Sequence, residues 1–162
     1  MKTIVYFYSL TGNCEKIGEK IASQLNCGSE RIIEKKKRLS KGFLKFFNGG
    51  AALQNKISEI NTLKNDPGNF EQIIVVTPFW AASPTPAIRG FINQYGEKLL
   101  DKKVGLAITN LGTDPEEAFK KYRKLFNVQL KIISFTKAKN EWEEPKQSEL
   151  IDIFIKDIGA VK

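Results

Sequence analysis

Apolar positions along this chain fall into two alternating patterns, short β-branched runs and longer stretches at helical spacing. The run Thr3-Ile4-Val5-Tyr6-Phe7-Tyr8 reads as a buried strand. From Asn13 to Leu25, Ile17, Ile21, Ala22 and Leu25 share one helical face while Glu15, Lys16, Glu19 and Lys20 lie largely off it. Asn26-Cys27-Gly28 marks that helix's end. A short strand is expected at 30–34 around Ile32 and Ile33. Residues 35–70 read as one interrupted helix, weakened at Gly49-Gly50 and closed by an Asp66-Pro67-Gly68 turn. The clearest strand is 72–77, β-branched and apolar almost throughout, as a central parallel strand covered on both faces would be. A helix over 85–98, a strand over 103–109, a helix from Pro115 to Phe126, a strand over 128–135 and a helix over 145–158 complete the pattern. Five strands alternating with helices predict an α/β fold, a parallel sheet sandwiched between two helical layers. The 162 residues suit one domain over 1–162.

Charge and composition narrow the chemistry. Lys plus Arg number 26 against 18 for Asp plus Glu, a formal +8, and there is no His at all. Histidine triads and imidazole metal ligands are therefore excluded. Two cysteines, Cys14 and Cys27, make no zinc site alone, so no metal is expected. Without a signal peptide they fit a reduced, cytoplasmic environment. No apolar run approaches the roughly 20 residues of a membrane span. The densest basic stretch is Lys35-Lys36-Lys37-Arg38, with Lys41 and Lys45, running into Phe43-Leu44 and Phe46-Phe47. It reads as a solvated helix face with its phenylalanines on the sheet, or as a surface for an acidic partner or a membrane surface; nucleic acid is not the expected partner.

The candidate chemistry sits in the loops that leave the strands. Ser9-Leu10-Thr11-Gly12-Asn13-Cys14 joins the first strand to the N-terminus of the first helix, where backbone N–H groups lack intrahelical partners and the helix dipole favours an anion. It has neither the lysine of a Walker A loop nor the three glycines of the dinucleotide fingerprint. After the third strand come Pro78-Phe79-Trp80-Ala81-Ala82-Ser83-Pro84-Thr85-Pro86 and then Arg89-Gly90-Phe91. The first loop resembles the flavodoxin phosphate loop through Asn13, and the second resembles that family's Pro-x-Trp-Ala-Gly-x-Pro-x-Pro segment with its following Arg-x-Phe.

The resemblance implies a flavodoxin-like three-layer sandwich, a five-stranded sheet of order 2-1-3-4-5, and FMN in the crevice at the strands' carboxyl ends. On that reading Ser9 to Cys14 hold the phosphate, and Trp80 in the loop Pro78 to Ser83 walls one face of the ring. Backbone groups of Ala81, Ala82, Asn110, Leu111 and Gly112 reach its polar edge. The role implied is electron transfer between redox partner proteins, with no catalytic side chain required because the cofactor carries the chemistry. Two alternatives stay open: an NAD(P)H-dependent quinone oxidoreductase and a flavin-free binding domain. Three departures from the family matter. Cys14 replaces a hydroxyl with a weak donor. Ala82 stands where glycine is common, so its Cβ should penalise a positive φ and disfavour the one-electron state of a bound flavin. The basic balance predicts partners with acidic docking surfaces, with Arg89 and the lysines 35–37 as candidate contacts.

Overall fold

The computed structural model describes residues 1–36 and 55–159. β1 (Thr3–Phe7) leads through α1 (Asn13–Gln24) to β2 (Gly28–Arg31). β3 (Gln72–Trp80) turns back into the two-residue β4 (Ser83–Pro84), followed by α2 (Pro86–Tyr95). β5 (Lys103–Asn110), α3 (Pro115–Phe126), β6 (Leu130–Thr136) and α4 (Lys146–Asp157) follow. The parallel strands lie in the order β2-β1-β3-β5-β6, which is 2-1-3-4-5 once the small antiparallel β4 is set aside. Register runs Ile4 opposite Ile73 and Ile73 opposite Val104 across the centre.

The sheet is buried on both sides because its central strands are apolar at both parities. Ile4 and Tyr6 of β1, Ile73 and Val75 of β3, and Val104, Leu106 and Ile108 of β5 face α2 and α3. Val5, Phe7, Ile74, Val76 and Ala107 face α1 and α4. Small residues on the second face admit large ones from the helix: a Cβ at Gly105 would lie 2.9 Å from Cζ of Phe154. The alternation of each central strand, β1, β3 and β5, therefore serves two cores at once.

Several boundaries differ from the sequence expectation. β2 pairs at 28–31 and not 30–34; Ile32 N–H still bonds the Phe7 carbonyl at 2.8 Å, but Ile33 is half exposed. At a sheet edge only one side chain of that pair meets the core. β3 extends past 77 to Trp80 because β4 gives its last residues a partner. α2 ends at Tyr95 and tightens into a 3₁₀ turn, Gly96–Leu99. Of the interrupted helix expected over 35–70, residues 37–54, with Lys37, Arg38, Lys41, Lys45, Phe43-Leu44, Phe46-Phe47 and Gly49-Gly50, lie outside the described residues. The described remainder is a strap in which Glu34 bridges Ile60 and Ile60 and Leu63 enter the core, before a 3₁₀ turn at Pro67–Asn69 capped by Asp66.

That strap lies against α2 without a gap. A Cβ at Gly90 would come within 1.9 Å of the Ser58 carbonyl oxygen, a backbone atom that no rotamer change can move. Gly90→Ala should therefore cost about 1–3 kcal/mol, lowering Tm by roughly 2–4 °C per kcal/mol in thermal unfolding. Gly28→Ala, with nothing within 4 Å of the added methyl, is the control and should change Tm little.

Candidate functional site

β1 and β3 are neighbours whose connections leave in opposite directions along the sheet, β1 toward β2 and β3 toward β5. A crevice opens at their carboxyl ends, as it does wherever strand order reverses. Here it is a cavity of about 690 Å³.

Its first wall is the β1–α1 loop. Ser9 is buried, and its Oγ accepts the Gly12 N–H at 3.0 Å, which folds the loop back on itself. Gly12 takes φ 94° as the N-cap and supplies no capping side chain, so the leading N–H groups of α1 keep their donors for a ligand. Leu10, Thr11 and Asn13 line the cavity beside Ser9. Arg31, the last residue of β2, donates to the Ser9 carbonyl at 2.5 Å and pairs with Glu15 at 3.4 Å, so a guanidinium backs the loop. Charge and donor set both suit an anion. Cys14 lies at the cavity floor, but its Sγ is only 3.1 Å from the Thr109 hydroxyl and packs with Val5, Ile17 and Val76. The thiol belongs to the core as much as to the loop.

The second wall is the β3–β4 hairpin. Trp80 pairs with Ser83 and Phe79 with Pro84, leaving Ala81 and Ala82 as a two-residue turn. Both have positive φ, 45° and 54°. Two such residues make the type I′ arrangement, usually Asn-Gly, and each alanine there costs about 1–2 kcal/mol. The penalty expected at Ala82 is thus carried by the fold itself, before any ligand, and Ala81 shares it. Lys121 of α3 donates to the Ala82 carbonyl at 2.5 Å, a charge-assisted bond worth about 1.5 kcal/mol for a partly exposed ammonium. Trp80 is half buried, at the end of β3 and not on a free loop, and meets the edge of Tyr8 at 5.7 Å.

The third wall comes from β5. Asn110 is buried, and its Nδ2 donates to Ser134 at 2.7 Å and Thr136 at 3.2 Å, while Oδ1 is enclosed with no hydrogen-bond partner among the described residues. Leu111, 70 % exposed, stands at the rim. Pro78, Phe79, Trp80, Ala81 and Ala82 line the cavity with Asn110 and Leu111. Gly12, Ser83 and Gly112 do not: Gly12 shapes the loop's turn, Ser83 is buried in the β4 pairing, and Gly112 lies near Ala138.

Solved structures were compared with this one. A flavoprotein of Lactobacillus acidophilus NCFM, crystallised in complex with FMN, matches with a TM-score of 0.69 and 20 % identity, over 87 % of this chain and 97 % of that one. A candidate flavoprotein of Bacteroides eggerthii DSM 20697 matches with a TM-score of 0.79 and 18 % identity over 99 % of both chains. Two-electron reduced Megasphaera elsdenii flavodoxin matches with a TM-score of 0.63 and 13 % identity over 98 % of both. The fold is flavodoxin-like. No protein-family model and no curated protein matches the chain.

This flavodoxin-like crevice contains residues that sequence reasoning passed over. Trp142 and Lys137, both from the segment after β6, line it, with the Lys137 ammonium 5.7 Å from the Trp142 ring centre. Trp142 is pinned by its indole N–H to the Phe135 carbonyl at 2.7 Å. The available signal was position: every parallel strand ends on the crevice side, so an aromatic shortly after the last strand falls there too. Thr109 and Thr113 also line it. Arg89 is half buried and donates to Asn55 at 2.6 Å, with burial first and foremost drawing its pKa down. Asn55 ties this half-buried side chain to the start of the strap. Among the described residues no group of acidic, Cys or His side chains could hold a metal, and no helix is long and apolar enough to cross a membrane.

Burial pushes the Cys14 thiol up to about 12, with the Thr109 contact opposing part of that. The folded thiol keeps its proton while an unfolded one releases it near 9, so this group's contribution to stability is full below pH 9 and falls as pH rises toward 12. Iodoacetamide at about pH 8 should label the partly exposed Cys27 in the folded chain and reach Cys14 only after unfolding, read by peptide mass spectrometry.

Proposed function

We propose that this chain binds FMN in the crevice and serves as an electron-transfer flavoprotein. The observation that carries the reading is the uncapped N-terminus of α1 opening on the same cavity as two indoles. An anion receptor beside an apolar aromatic slot matches a flat ring tethered to a phosphate. The L. acidophilus flavoprotein of the same fold was crystallised with FMN, which supports the choice of ring.

The residues divide the labour by chemistry. The Thr11, Asn13 and Cys14 amides, with Arg31 behind them, would hold the phosphate, and Trp80 and Trp142 would flank the ring and exclude water from it. Asn110 and Leu111 would contribute backbone groups to the ring's polar edge, where fixed dipoles serve without titrating. Bound flavin supplies the redox chemistry itself. The only charged side chain lining the cavity among the described residues is Lys137, so an incoming electron meets a positive field. The formal +8 supports redox partners with acidic surfaces, whose association would slow as salt is added.

Titrating the purified chain with FMN should quench flavin fluorescence and shift the visible spectrum. Riboflavin, the same ring without phosphate, should bind about 100-fold more weakly if the α1 terminus is the anchor, a difference of about 2.8 kcal/mol. Trp80→Ala should weaken FMN about tenfold through lost stacking and burial. Absence of any FMN response in the native chain defeats the proposal.

A further inference from the structure

The β3–β4 hairpin carries a strain that its own pairing is too small to hold. Its ladder is two residue pairs, and Pro84, in one of them, has no N–H to donate. A two-residue ladder closing a turn with two left-handed alanines needs support from elsewhere. That support comes from two consecutive residues of α3. Lys121 Nζ donates to the Ala82 carbonyl at 2.5 Å on the turn itself, and Tyr122 Oη donates to the Pro78 carbonyl at 3.0 Å on the ascending limb. Tyr122 is fully buried against Phe79, ring centres 5.8 Å apart, so its position is set by the core. Lys121 is aimed by Glu117, one helical turn earlier, at 2.8 Å. α3 in turn starts at Asp114, whose carboxylate caps the Glu116 N–H at 3.1 Å directly after the loop that carries Leu111 and Thr113.

We propose that Lys121 is a positioning residue, which holds the Ala81–Ala82 turn in its left-handed conformation and thereby fixes the Trp80 wall of the cavity. The ammonium occupies the Ala82 carbonyl, so this carbonyl is held toward α3 and the turn keeps one form. Glycine at these positions would need no such clamp. Alanine does, and the lysine on the turn, with Tyr122 on the ascending limb, offsets part of the alanine pair's strain. The ligand part of this proposal rests on the FMN reading above; the conformational part does not.

The test compares the native chain with Lys121→Met, Lys121→Arg, and Lys121→Met combined with Ala81→Gly and Ala82→Gly, with thermal unfolding confirming that each folds. FMN affinity is measured on all of them, and φ-dependent backbone NMR couplings of Ala81 and Ala82 are measured on the ligand-free chains that retain both alanines. Lys121→Met should weaken FMN about tenfold and move both couplings off their left-handed values, while Lys121→Arg retains the native result. The glycine pair should return affinity to within about threefold of native, since glycine adopts positive φ without steric cost. Native couplings in Lys121→Met overturn the proposal. So does a glycine pair that fails to restore binding, which would assign the effect to the lysine's charge. If the native chain binds no FMN, the ligand reading alone falls, and the couplings still decide the role of Lys121.

Discussion

Burial of the sheet on both faces is the constraint from which the site follows. Parallel strands with both faces covered must be joined by chain that crosses over the faces, so every strand leaves at the same end of the sheet. In this protein the loops after β1, β3, β5 and β6 are gathered there, and the reversal of strand order between β1 and β3 keeps two of them from closing over each other. The cavity is a consequence of the topology. Its chemistry is a consequence of which residues happen to occupy those four exits.

Those exits divide into one polar receptor and a set of apolar walls. At β1 the receptor is mostly backbone: Gly12 at φ 94° turns the chain into α1 without a capping side chain, and Ser9 and Arg31 brace the loop through its own N–H and carbonyl groups. Side chains stabilise the receptor, and the amides would do the binding. At β3 and β6 the roles are reversed, because Trp80 and Trp142 present ring surface while their surroundings hold them still. This arrangement is preorganised, and preorganisation reduces the ordering cost of binding.

The hairpin shows how strain in one element is offset by another. Ala81 and Ala82 occupy a conformation for which glycine is the ordinary choice, and Lys121 and Tyr122 of α3 grip the two limbs from outside. α3 begins at the β5 loop and reaches the β3 hairpin through Lys121 and Tyr122, so two walls of the cavity share one brace. The charge at the site is positive among the described residues that line it. Lys137 lines the cavity and Arg31 stands behind the β1–α1 loop, in a chain of formal charge +8.

The sequence by itself determined the α/β class, the order of elements and the loops that form the site. Those properties depend on local spacing: two-sided apolar strands such as 72–77, helical stripes such as Ile17, Ile21 and Ala22, and a glycine before a helix start. Only the tertiary structure decided where β3 stops, since its last residues are strand because β4 folds back on them. It also decided that Cys14 turns into the core toward Thr109, 95 residues away in sequence, and that Arg89 is packed against Asn55. Trp142, Lys137 and Lys121 reach the crevice or its wall from the C-terminal third of the chain. Periodicity reports a residue's surroundings along its own element, whereas these roles are set by distances between elements, which no local pattern encodes.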